Sequence, residues 1–127
     1  MKNRPLRERL GFAAEGLRTG WRREKSFRTQ TRTAALALVA LVVLRPAPVW
    51  WGLVAVTVAL VLALELVNSA LEAGIDLLHP GLHPSVKVAK DMLAGAVLTI
   101  SIAALVVGVA MVTDAAPTRL GEWGWWR

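Results

Sequence analysis

The sequence predicts an all-α integral membrane protein with an N-terminal amphipathic surface helix and three transmembrane helices. Three observations predict it. Runs of 12, 19 and 22 uncharged residues lie between Arg32 and Arg45, Arg45 and Glu65, and Asp91 and Asp114. Hydrophobic residues make up 55% of the 127, high for a water-soluble chain of one-domain length. The basic charge is concentrated, with ten Lys/Arg against three Glu in residues 1–32 and five against six acids in the rest.

The surface helix is expected at about 5–25. Leu6, Leu10, Ala13, Ala14, Leu17 and Trp21 recur at helical spacing, while Arg7, Arg9, Glu15, Arg18 and Arg22 fall largely on other faces. Such a helix lies in the interface plane, with its basic residues toward anionic headgroups. Ser26-Phe27-Arg28 then turns the chain into a first span at about 29–45, short enough to need snorkelling arginines. Arg45-Pro46-Ala47-Pro48 ends it, because proline cannot continue a helix and restricts the residue before it. The second span, about 49–78, and the third, about 86–113, each meet the roughly 20 residues needed to cross about 30 Å of hydrocarbon. His79-Pro80-Gly81 stops the second, and a short loop through His83-Pro84 starts the third. Trp50 and Trp51 suit one interface, as Trp123, Trp125 and Trp126 of the tail 114–127 would. Small residues such as Gly95, Ala96, Gly108 and Ala110 would let helices approach closely.

The basic flank before the first span is a positive-inside signal. It puts the N-terminus and the Leu77–Ala89 loop in the cytoplasm of a multi-pass membrane protein. Several classes drop out. With no cysteine there is neither a disulfide framework nor a cysteine zinc site. A signal peptide is about 15–30 residues in all, whereas 32 residues bearing Glu8, Glu15 and Glu24 precede the first apolar run. Nucleic acid is not an expected partner, since the basic stretch has few interleaved aromatics and abuts a span. Gly11 to Arg18 has the glycine spacing of a P-loop, but it lacks the Lys-Ser/Thr pair and follows no strand.

Function is concentrated in Glu65-Leu-Val-Asn68-Ser69-Ala-Leu-Glu72-Ala-Gly-Ile-Asp76. At about 100° per residue, Glu65, Glu72 and Asp76 fall within roughly 20° of one line, flanked by Asn68 and Ser69. A carboxylate facing lipid is costly, so acids at membrane depth usually face a protein interior or water and mark a site. Glu72 and Asp76 belong at the wet edge, level with Lys87, Lys90 and Asp91. Carboxylates there could hold Mg²⁺, which takes one or two protein carboxylates and completes its octahedron with phosphate and water. Glu24 could join them, or simply pair with Arg28 at i+4. Lys90 could neutralise phosphate beside Asp91, or be a snorkelling lysine at a helix start. Charged faces on three short spans call for a homo-oligomer.

Taken together these segments resemble the prokaryotic integral-membrane diacylglycerol kinase family, which includes undecaprenol kinases. The matching strings are Phe12-Ala-Ala-Glu-Gly-Leu17, Glu24 with Ser26-Phe27-Arg28, Glu65 to Glu72 with Asp76, and His83-Pro84-Ser-Val-Lys87-Val-Ala-Lys90-Asp91 leading into Ala94-Gly-Ala-Val-Leu98. They run in order over about residues 10–112. The resemblance implies a homotrimer in the bacterial inner (plasma) membrane that transfers the γ-phosphate of MgATP to a lipid hydroxyl at the cytoplasmic membrane edge, with Mg²⁺ as cofactor and ATP as co-substrate. It implies that Glu65 is the catalytic base and contacts the lipid, and that Glu24 and Glu72 hold the metal and nucleotide. It implies that Gly81, Leu82, His83, Lys90 and Asp91 line the nucleotide site, that Asn68 and Asp76 are further active-site groups, and that Arg28 borders the lipid entrance. Gln30 departs from the family, which often has an acid or histidine there. The acceptor implied is diacylglycerol or undecaprenol, with the His83-Pro84 and Phe12-Ala-Ala-Glu-Gly strings closer to the undecaprenol branch.

The rival from another class is a small proton-coupled transporter using Glu65 as its intramembrane carboxylate. It gives no reason for Lys90-Asp91 at the depth of the acidic stripe. A holin-like or scaffold protein explains the hydrophobicity but not four aligned polar residues.

Overall fold

The computed structural model describes residues 2–123, which form four helices: α1 (Leu6–Arg23), α2 (Lys25–Leu44), α3 (Pro48–Leu78) and α4 (Pro84–Trp123). No strand occurs among the described residues. The helices α2, α3 and α4 are each long and apolar enough to cross a membrane. Their buried apolar residues are few, namely Phe27, Leu41, Val54, Val61, Met111 and Ala115. Leu36, Leu98 and Leu105 are among many large apolar side chains left exposed. Backbone polar groups closed within helices and apolar side chains facing outward are what a hydrocarbon solvent demands.

The first junction is a single residue. Only Glu24, at φ −107° and ψ 108°, interrupts the helix between α1 and α2. Carbonyls at the end of α1 would lack partners, and Arg28 supplies them. Its Nη1 donates to the carbonyls of Trp21 and Arg22 at 2.9 and 3.1 Å, so Arg28 is committed to shaping the bend. Arg32 lies over the Trp21 ring, 5.8 Å from its centroid, adding a second tie between the helices. Gly20 is buried where α1 meets α3. A Cβ there would stand 2.6 Å from Leu66 Cδ2, so only glycine permits this approach without a shift.

At the opposite end, Arg45 adopts the left-handed conformation, φ 46° and ψ 57°, to turn α2 into α3. That conformation costs a residue with a Cβ roughly 1 kcal/mol or more, and two prolines stiffen the turn behind it. The reinforcement comes from α4. Arg119 Nε donates to the Leu44 carbonyl at 2.8 Å and Nη2 to that of Arg45 at 3.4 Å. Trp50 Nε1 donates to Asp114 Oδ2 at 2.9 Å, tying the start of α3 to α4. Beneath lies the core of Leu41, Val54 and Met111, flanked by Ala37, Val58 and Val107.

The last helix differs most from expectation. The third span was expected at about 86–113 with a tail from 114, and the helix itself continues through Pro117 to Trp123. Proline there removes one donor, that for the Thr113 carbonyl, and leaves the rest of the ladder intact. Arg119 could not otherwise reach α2. Trp125 and Trp126, expected as interface anchors, lie outside the described residues.

Candidate active site at the acidic end of the bundle

Glu65 is the one buried charged residue among those described, with 4% of its surface exposed. It sits one turn past Val61 on α3, where the Gly20 contact brings the α1–α2 junction close. An isolated buried carboxylate is expensive, so it needs a donor. Ser26 provides one across 39 residues of sequence, with Oγ donating to Glu65 Oε2 at 2.9 Å. Ser26 lies in the first turn of α2, where the positive end of the helix dipole favours an anion.

The acidic stripe then runs outward along α3. Asn68 and Glu72 are half-buried and Asp76 is exposed. Asn68 Oδ1 is buried without a hydrogen-bond partner, an unspent acceptor one turn from Glu65 that calls for an explanation. Asp76 Oδ1 receives Lys90 Nζ at 2.6 Å, joining α3 to the first turns of α4. The charge of Glu72 also acts on that ammonium. Acids of α3 and an amine of α4 therefore meet at one end of the bundle.

Two pairings depart from sequence neighbourhood. Asp91 does not face Lys90 but pairs with Lys87 at 2.6 Å, one turn back on α4. Residues adjacent on a helix point about 100° apart, so the Lys90-Asp91 pair splits between two partners. Glu24 is not paired with Arg28, whose donors go to α1 carbonyls. Among the described residues neither Glu24 nor Glu72 forms an ion pair.

Gly81, Leu82 and His83 lie exposed in the α3–α4 loop. His83 serves α4 directly, its Nδ1 accepting the Ser85 N–H at 3.1 Å while its carbonyl accepts from Lys87 N at 3.1 Å. The residue that sequence reasoning missed is Ser26. A hydroxyl in the first turn of a helix, close in sequence to Glu24, was the available signal.

Beside the cluster, α2, α3 and α4 enclose an open apolar groove of about 640 Å³. One end begins at Gln30, one turn past Ser26, and at Val61, one turn before Glu65. It runs between the helices to Gly108, Met111 and Thr113.

Three helices long enough to cross a membrane, with a buried carboxylate, acids outside any ion pair and an apolar groove meeting at one edge, have the layout of a membrane-embedded enzyme. The chain belongs to the prokaryotic diacylglycerol kinase family, whose model matches residues 11–112. It is 37% identical to a diacylglycerol kinase of Synechocystis over 98 residues, 76% of this chain and 56% of that protein. The chain thus spans little more than half the length of that relative. It is 33% identical to a diacylglycerol kinase of Helicobacter pylori over 89 residues, 70% of each chain. An undecaprenol kinase of Bacillus subtilis is 28% identical over 97 residues, 76% of this chain and 79% of that one. The match stops at residue 112, so Asp114, Pro117 and Arg119 belong to a segment outside it.

Proposed function

We propose that the protein is a lipid kinase that transfers the γ-phosphate of ATP to the hydroxyl of an alcohol held in the membrane. The observation that carries this reading is the Glu65 carboxylate. It is buried and held through one oxygen by Ser26, and it stands where an apolar groove meets a rim of polar groups. A long-chain alcohol lying in the groove would bring its hydroxyl to the Gln30–Val61 end, within a turn of Glu65. As the alcohol oxygen bonds to the γ-phosphorus, the bond from that phosphorus to the bridging oxygen breaks and ADP leaves. The hydroxyl proton passes to Glu65, the general base. Asn68 Oδ1, lacking a partner, supplies an acceptor for a substrate donor.

Phosphoryl transfer is mostly positioning and charge neutralisation, and the remaining residues suit that work. Lys90, steadied by Asp76, neutralises nucleotide phosphate. Glu24 and Glu72, uncommitted to any ion pair, are the side chains to hold magnesium. Among the described residues no three His, Asp or Glu gather to cage an ion. Magnesium takes one or two protein carboxylates and leaves other positions to phosphate and water. Magnesium supplies charge neutralisation on the transferring phosphate. The exposed apolar faces of the spans would be covered by lipid and by copies of the chain in a homotrimer. The basic α1 would lie along the cytoplasmic leaflet, which puts the acidic end of the bundle in reach of ATP.

The test is purified protein in detergent micelles with labelled ATP, magnesium, and either diacylglycerol or undecaprenol. Label is expected in a lipid product and lost in Glu65→Gln. The names of the more similar relatives favour diacylglycerol as the better acceptor. Proton-driven efflux from vesicles without labelled lipid would favour the transporter instead.

A further inference from the structure

We propose that Ser26 is a positioning residue that fixes the Glu65 carboxylate for its encounter with the acceptor hydroxyl, an inference that rests on the lipid-kinase reading. A glutamate side chain has three rotatable bonds, and burial alone does not choose among its rotamers. A single donor bound to Oε2 does, and it leaves Oε1 to take the substrate proton.

The serine is free for this work because of the junction's own bonding. Thr29, Thr31 and Thr33 on the same helix each donate their hydroxyl to a carbonyl four residues back. The corresponding carbonyl for Ser26 is that of Arg22, which belongs to α1 and is taken by Arg28 Nη1 at 3.1 Å. The helix break at Glu24 takes that carbonyl out of line with α2, and the Ser26 proton goes to α3 instead. The Gly20 contact with Leu66, the residue next to Glu65, holds the two helices close there. One structural unit thus ties Glu24, two residues before Ser26, to the base on α3.

The experiment compares Ser26→Ala, Ser26→Cys and Ser26→Thr with wild type in mixed micelles, varying lipid and ATP separately. Cysteine keeps the volume but is a weak donor, so it controls for packing. Misplacing a reacting group by about 1 Å can reduce rate on the order of a hundredfold. The alanine and cysteine variants are therefore expected to lose about tenfold or more in kcat with both KM values within about twofold of wild type. Threonine should recover most of the loss. On a Glu65→Asp background, whose shorter side chain has already left Ser26, Ser26→Ala should reduce kcat no further. The inference is overturned by a kcat for Ser26→Ala within about twofold of wild type, or by an equal loss on the aspartate background. A wild-type protein that labels no lipid overturns the kinase reading and this inference with it. An active wild type indifferent to Ser26 overturns the inference alone.

Discussion

Replacing Gly20 with leucine tests whether the α1–α3 contact sets the geometry of the site. A Cβ at this position would lie 2.6 Å from Leu66 Cδ2, whereas carbon atoms rest at about 3.5–4.0 Å. For the first added carbon either the Leu66 side chain rotates aside or the helices separate by about 1 Å, and the rest of an isobutyl group leaves separation as the remaining relief. Overpacking of this kind costs about 1–3 kcal/mol. The displacement falls one turn from Glu24 and one residue from Glu65 on their respective helices. Since about 1 Å at the reacting groups can reduce rate on the order of a hundredfold, Gly20→Leu is expected to lower kcat/KM by ten- to a hundredfold. Gly20→Ala should fall between this and wild type. Leu66 Cδ2 is the end of a flexible side chain and can rotate aside, and alanine gains up to about 1 kcal/mol in helix propensity. Gly11 and Gly16 share α1 but would meet nothing within 4 Å, so alanine at either should leave the rate unchanged. The assay is the initial rate of phosphate transfer to lipid in micelles, paired with thermal unfolding in the same detergent. Gly20→Leu at the full wild-type rate would refute the reasoning, as would Gly16→Ala as damaging as Gly20→Leu.

Three further outcomes are expected. Arg119→Ala removes one good hydrogen bond to Leu44, a long one to Arg45, and the ion pair with Glu122 within α4. It should lower stability by about 1–2 kcal/mol, read as an earlier unfolding transition, with little change in KM for ATP. Lys90→Ala should raise KM for ATP about tenfold or more, whereas Lys87→Ala, which removes only an exposed pair within α4, should change it less than twofold. Glu24→Gln and Glu72→Gln should each raise the magnesium concentration needed for half-maximal rate, measured by metal titration at saturating ATP. An unchanged magnesium requirement in both would remove them as metal ligands.

Much of this was legible in the sequence because it is local. The hydrophobic run lengths and the proline–glycine breaks located the spans, and the helical period put Glu65, Glu72 and Asp76 on one face. What stayed hidden depends on partners far apart in the chain. Ser26 meets Glu65 across 39 residues, and Arg119 meets Leu44 across 75. A hydroxyl in a first helical turn can mark Ser26 as a candidate, but no local pattern names either partner. Adjacency says little at Lys90-Asp91, where neighbours on a helix diverge and the two side chains pair with Asp76 and Lys87. The run of α4 through Pro117 had no local signal either. Losing one hydrogen bond does not end a helix whose continuation is anchored by Arg119 to another element. Arg28 also donates through Nη1 to α1 carbonyls that only a sharp bend exposes, a role its sequence neighbourhood did not signal.

The most direct test of the central claim is to recover the lipid after incubation with γ-labelled MgATP and ask whether it carries the label, for wild type and for Glu65→Gln at matched thermal stability. The account predicts a phosphomonoester on the lipid alcohol with wild type and at least a hundredfold less with the glutamine variant. Equal phosphorylation by both proteins would contradict it.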